Sequence, residues 1–285
     1  MMKVILAAIV LLIVSGSVES GLFAQSVMFV PGRLLFHPLV ANPFEARMGM
    51  EKALDENFLT LEIGNSVDLL AWRGVGRDST SELRVGADFF TWSHLLSSND
   101  FRFPVQTVDY LFGLNAGWVS SSQADHRWEA RLRLAHISAH LVDGSYDNYN
   151  HQWVQQEPFT YSREFVDVIG AFTRNIEGLR FRFYAGGTVL IHSIPAGFGV
   201  VAPHWGVEYH GDPSQSLVPF IAFDDRIQEV DKWIQSTSTH AGIKFGTWDA
   251  TGTELYVAYE SGESIHGMYY ERTGSHLFAA MNISF

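Results

Sequence analysis

Beyond residue 45 the chain alternates polar and apolar positions with a period of two, in segments divided by clusters of Gly, Asn, Asp and Ser. In "ELRVGADFF", Leu83, Val85, Ala87 and Phe89 share one face while Glu82, Arg84, Gly86 and Asp88 share the other. In "LRFRFYAGGTVLI", Leu179, Phe181, Phe183 and Ala185 oppose Arg180, Arg182 and Tyr184. Such alternation belongs to strands with one apolar and one polar face. It predicts strands near 45–52, 58–72, 81–92, 107–119, 127–139, 161–174, 178–191, 203–210, 217–226, 235–247, 253–260 and 275–285. No intervening segment carries helical periodicity, so the predicted fold class is all-β.

Two-faced strands suit a soluble sandwich or a membrane barrel, and the termini separate the two. Val4–Val14 is an apolar run preceded by Lys3 and followed by Ser15, Gly16 and Ser17, the order of a secretory signal. It is too short to span a bilayer comfortably. Residues 1–24 are therefore expected to be a cleaved signal peptide, with Ala24 and Ser20 as alternative cleavage points. Residues 25–44 carry Pro31, Pro38 and Pro43, whose rings prevent regular helix, and are expected to form an extended, tethering N-terminal arm. Residues 45–285 are expected to form a transmembrane antiparallel β-barrel of about twelve strands in the bacterial outer membrane. At the C-terminus Leu277, Ala279, Met281, Ile283 and Phe285 make one unbroken apolar face. Its last members, Met281, Ile283 and Phe285, resemble the terminal signal read by the barrel-assembly machinery, which becomes an expected partner.

Composition narrows the picture further. Hydrophobic residues make up 47% and aromatic residues 14% of the chain against 18% charged, a balance that fits strands facing lipid. Cysteine is absent, which removes disulfides and thiolate metal sites. A formal net charge of −12 with no basic tract argues against nucleic acid as a partner. Connection lengths orient the barrel: "NIEG" (175–178) and "DATG" (249–252) are short, while the link from His140 to Thr160 is the longest. Outer-membrane barrels keep short turns in the periplasm and long loops outside, so the strand at 127–139 runs outward.

That strand holds the candidate chemistry. Arg127, Glu129, Arg131 and Arg133 share the lumen parity, and Trp128, Ala130, Leu132, Leu134, His136, Ser138 and His140 the lipid parity. Ser138 lies roughly 25 Å above Trp128 at the usual rise and tilt, where lipid esters meet water. A serine and a histidine two residues apart on one face suit proton transfer from nucleophile to base. Glu164, on the same parity of the next strand, is the best orienting carboxylate, with Asn150 as its alternative. A second reading makes these side chains polar residues of the strand rim, and a third makes His136 and His140 metal ligands. In "DGSYDNYN", Asp143 and Asp147 (with Asn148) offer oxygen ligands for calcium, without the spacing of a defined calcium loop. Arg131, Arg133, Arg180 and Arg182 are expected to meet Glu62, Asp68, Glu82 and Asp88 inside, either closing the lumen or lining a narrow channel.

The runs "LAHISAHLVDG", "YSREF", "LLFHPLVANPFEARMG" and "YVAYESGESIHGMYYER" resemble a bacterial outer-membrane barrel family, domain of unknown function 1207. That resemblance covers nearly all of the mature chain and implies an outer-membrane location without assigning an activity. Locally, His136-x-Ser138 is similar to the His-x-Ser pair of outer-membrane phospholipase A and the lipid A deacylase, barrels that act on lipid at their exterior. In those enzymes Asn follows the serine, where this chain has Ala139. The expected partners are thus outer-membrane lipids, with a homodimer as the arrangement that would build a substrate pocket. The expected activity is an alternative between none and lipid acyl hydrolysis by Ser138, His136 and Glu164, with calcium as the one candidate cofactor.

Overall fold

The computed structural model describes residues 26–75, 80–98, 101–123 and 125–285; the expected signal peptide, residues 1–24, lies outside them. The strands are β1 (Ser26–Phe29), β2 (Met48–Ala53), β3 (Phe58–Arg73), β4 (Glu82–Leu96), β5 (Val105–Gln123), β6 (His126–Leu141), β7 (Tyr146–Asp147), β8 (Gln152–Trp153), β9 (Tyr161–Ile176), β10 (Leu179–Ile194), β11 (Val201–His210), β12 (Leu217–Val230), β13 (Lys232–Phe245), β14 (Gly252–Glu263) and β15 (Thr273–Ser284). Each consecutive barrel strand pairs antiparallel with the next, and β2 joins β15 to β3 to close the ring. The barrel has twelve strands, β2–β6 and β9–β15, as the alternation predicts. β1 lies on the lower edge of β3, and β7 and β8 form a ribbon in the longest outer loop.

The two faces separate by chemistry. Phe89, Leu114, Leu132, Val168, Phe183, Trp205, Ile221 and Val257 are exposed on the outside, and Asp88, Glu129, Arg131, Arg133, Arg182, Glu208 and Asp224 are buried on the inside. An apolar exterior this extensive needs lipid to cover it, and a closed ring leaves no unpaired strand edge inside a bilayer. The chain is an integral membrane β-barrel. Met281, Ile283 and Phe285 are exposed on the outer face of β15 and its end. At the opposite end from the loops, β9 turns into β10 through Glu177 and Gly178, both at positive φ (49° and 82°). That is the two-residue hairpin whose twist matches the strands, and glycine takes its second position without steric cost.

The N-terminal arm does not trail from the barrel. It runs through the lumen, with Phe36, Leu39, Ala41, Asn42, Glu45 and Arg47 buried. The wall holds it by its backbone: Asp68 accepts from Leu35 N at 2.8 Å, Glu208 from Val40 N at 2.8 Å, and Arg182 donates to His37 O at 3.1 Å. Arg84 reaches the Arg33 carbonyl in the same way. The pairs within the wall include Arg84–Asp68, Arg133–Asp88 and Arg182–Glu129. The centre of the network, however, is Glu45 of the arm, which accepts from Arg131 Nη1 at 2.8 Å and from Arg133 Nη2 at 3.3 Å. Arg180 sits apart, bidentate on Asp249 in a turn.

At the outer mouth the segment 264–272 folds inward over β4, β5 and β6. Met268 and Tyr269 pack against Trp92, Ile137 and Phe165, and Asp109 accepts from Gly267 N at 2.7 Å and bonds His266 Nδ1 at 2.9 Å. The other side of the mouth stays open as a polar vestibule of about 740 Å³, whose walls include Thr60, Arg163, Arg226, Glu260 and His276.

Candidate functional site

The outward end of β6 is built by register. In β6 His136 pairs with Glu164 of β9 and Ser138 with Ser162, while on the other side they face Phe112 and Tyr110 of β5. His136, Ser138 and Glu164 are half-buried and point away from the lumen, as their parity predicts. Directly paired residues on one sheet face stand within side-chain reach. His136 Nδ1 accordingly meets Glu164 Oε1 at 2.7 Å, and its ring lies on Phe112 with centroids 4.7 Å apart.

Glu164 is more heavily used than the sequence suggested. Ser162 Oγ donates to Oε1 at 2.8 Å, and His192 Nδ1 meets Oε2 at 2.7 Å. One carboxylate thus holds two imidazoles and a hydroxyl. Both Nδ1 atoms are the donors to an ionised glutamate, which leaves Nε2 of each ring as the basic nitrogen. Among the described residues no hydrogen bond joins Ser138 to His136. His140 is exposed and meets Tyr110 edge-on, with centroids 5.9 Å apart.

His192 escaped the sequence pattern for a geometric reason. Strict alternation from the outward Val189 would send it into the lumen. A bulge between Leu190 and His192 adds one residue to β10, so His192 pairs with Glu164 and turns outward.

The other predicted residues lie apart from this group. Asp147 Oδ1 accepts from Tyr149 N at 2.8 Å and Asn150 N at 3.1 Å, and its Oδ2 accepts from Asn150 Nδ2 at 2.7 Å. The bonds from Asn150, then the Tyr149 amide, hold the Asp147 carboxyl below the usual range. Asn150 is therefore engaged within its loop and makes no bond to His136. Asp143 accepts from Gly144 N at 3.1 Å. Neither aspartate belongs to a group of three ligating side chains among the described residues.

Chemically, the outward group can orient and polarise an imidazole at a lipid-facing surface, beside a serine two residues along the strand. Among the described residues no side-chain hydrogen-bond donor is placed against Ser138.

The fold resembles several solved barrels at low identity. The β domain of the Bordetella autotransporter BrkA is 11% identical, with 83% of this chain and 97% of that one covered and a TM-score of 0.45. LpxR from Salmonella typhimurium is 11% identical, with 82% and 91% covered and a TM-score of 0.41. OmpT of Vibrio cholerae, lacking its loop L8, is 10% identical, with 92% and 100% covered and a TM-score of 0.33. No curated protein sequence matches the chain. Residues 13–281 match the protein family of unknown function DUF1207, and the chain belongs to that family.

Proposed function

We propose that this outer-membrane barrel is a lipid acyl hydrolase with its site on the barrel exterior. The observation that carries the reading is the 2.7 Å contact between His136 Nδ1 and Glu164 on the lipid face, with Ser138 two residues along the same face. Ser138 attacks a lipid ester, His136 Nε2 takes its proton and returns it to the leaving alkoxide, and Glu164 fixes the tautomer; a water deprotonated by His136 then cleaves the acyl-serine, which releases the fatty acid and restores Ser138. The serine must rotate toward the imidazole when lipid arrives, since catalytic hydrogen bonds often tighten only in the substrate complex. Backbone amides of the outer loop would supply the oxyanion contact; were calcium bound there, Asp143 and Asp147 would hold it and it would supply the same charge stabilisation. A second barrel docked on this face would complete a substrate pocket.

Fatty-acid release from mixed micelles of phospholipid, and separately of lipopolysaccharide, with and without calcium, tests the reading. Ser138→Ala should lower the rate by several orders of magnitude, and His136→Ala by a comparable factor. Glu164→Gln should cost less while leaving the barrel folded. A wild type that releases nothing, or a folded Ser138→Ala that matches wild type, would overturn the assignment.

A further inference from the structure

The lumen wall carries a second cluster, remote from the lipid-facing residues. Glu51 of β2, His240 of β13 and Glu260 of β14 each offer one ligating atom, and these atoms lie within 4.8 Å of one another. Three independent features distinguish the group from an ordinary acidic patch.

The first is an orphaned nitrogen. His240 is 1% exposed and its Nε2 has no hydrogen-bond partner, while Glu260 Oε1 lies 4.0 Å away. A buried polar atom left unpaired is costly and calls for an occupant. The ring is otherwise fixed, stacked on Tyr256 with centroids 4.8 Å apart. Tyr256 also donates its hydroxyl to Glu51 Oε1 at 2.8 Å, so the same side chain steadies two of the three ligands.

The second feature is charge. Arg47 is the nearby cation, yet its Nη1 pairs with Glu62 at 3.4 Å and its Nη2 donates to the carbonyls of Val40 and Asn42. Among the described residues, neither Glu51 nor Glu260 has a guanidinium or ammonium within ion-pair distance. Three buried or half-buried carboxyl groups thus share one committed guanidinium. Burial makes it expensive for all three to be ionised together unless a further cation offsets the charge.

The third feature is access. Glu260, Ser238 and Thr60 line the outer vestibule, so an ion can reach the cluster from outside the cell.

We propose that Glu51, His240 and Glu260 bind a divalent first-row transition metal in the wall of the vestibule. One imidazole nitrogen with two carboxylates suits zinc, manganese or ferrous iron, whereas calcium and magnesium favour shells made wholly of oxygen. A divalent ion would offset the charge that Glu51 and Glu260 carry once they ligate it. The side chains close around the ion by small rotations, and its vestibule side stays open to water or to an anionic group of a ligand.

The test uses the full mature chain, folded in detergent and stripped with chelator, with Zn²⁺ titrated by calorimetry. Saturable binding of one zinc per barrel is expected. His240→Gln and Glu260→Gln should each weaken it at least tenfold, and Glu254→Gln, on β14 outside the cluster, should leave it unchanged. Heat-modifiable migration verifies that each variant is folded. X-ray absorption of zinc-loaded wild type needs no variant and should show a shell of one imidazole and oxygen atoms. Absence of a saturable site in the folded wild type would overturn the proposal. So would folded variants that bind as wild type does, or a shell of two or more imidazoles, which would mark an adventitious ion among the 12 histidines.

Discussion

Glu45 decides the charge balance of the lumen. Its carboxylate is buried and accepts from two arginines on one strand, so Glu45→Ala would leave Arg131 and Arg133 short of a partner. Breaking a buried pair from one side costs about 3–5 kcal/mol. The urea midpoint of the folded barrel should therefore fall sharply in Glu45→Ala. The double change Glu45→Leu with Arg131→Leu should lose less than the sum of the two single changes, the signature of direct coupling. Additive losses would show that the contact carries no net stability. At this scale the sequence was legible only in part. His136, Ser138 and Glu164 could be placed on one outward face because alternation alone assigns parity. His192 could not, because a single extra residue in β10 inverts the parity and nothing in its composition marks the bulge. Glu45 was read as the first residue of a strand, although β2 starts at Met48 and Glu45 lies across the lumen.

Among the elements, the barrel strands were legible and the arm was not. Each strand writes its two environments into the sequence at every second residue. The arm instead mixes apolar side chains with backbone groups that the wall recognises, and backbone recognition leaves no residue signature. The cluster of Glu51, His240 and Glu260 was hidden for a related reason, since Glu51 on β2 comes near His240 and Glu260, on the paired strands β13 and β14, only because β2 closes the ring on β15. The arm predicts an electrical outcome. Wild-type protein in planar bilayers should give no large stable conductance steps, and deletion of residues 30–46 should produce them in barrels that still migrate as folded. Equal conductance with and without the arm would mean that it does not seal the lumen. Deleting Phe285 should slow membrane assembly in cells, read as accumulation of unfolded chain, because it removes the end of the apolar face of β15.

For the molecule as a whole, the twelve-stranded ring should resist unfolding as one cooperative unit. Unboiled protein should migrate differently from boiled protein on a denaturing gel and show a β-type circular dichroism spectrum. A helical spectrum or recovery in a soluble periplasmic fraction would contradict the architecture. That ring is not equally strong all the way round. β15 shares twelve paired positions with β14 on one side but only six with β2 on the other. β2 in turn shares only four paired positions with β3, so under a pulling force applied at Phe285 the seams on either side of β2 are where the ring should tear first. The rupture would turn a cylinder into an open ribbon before any other strand comes loose. An optical-trap record should then begin with one small, early event, and pinning β2 to both β15 and β3 with engineered disulfides should abolish it.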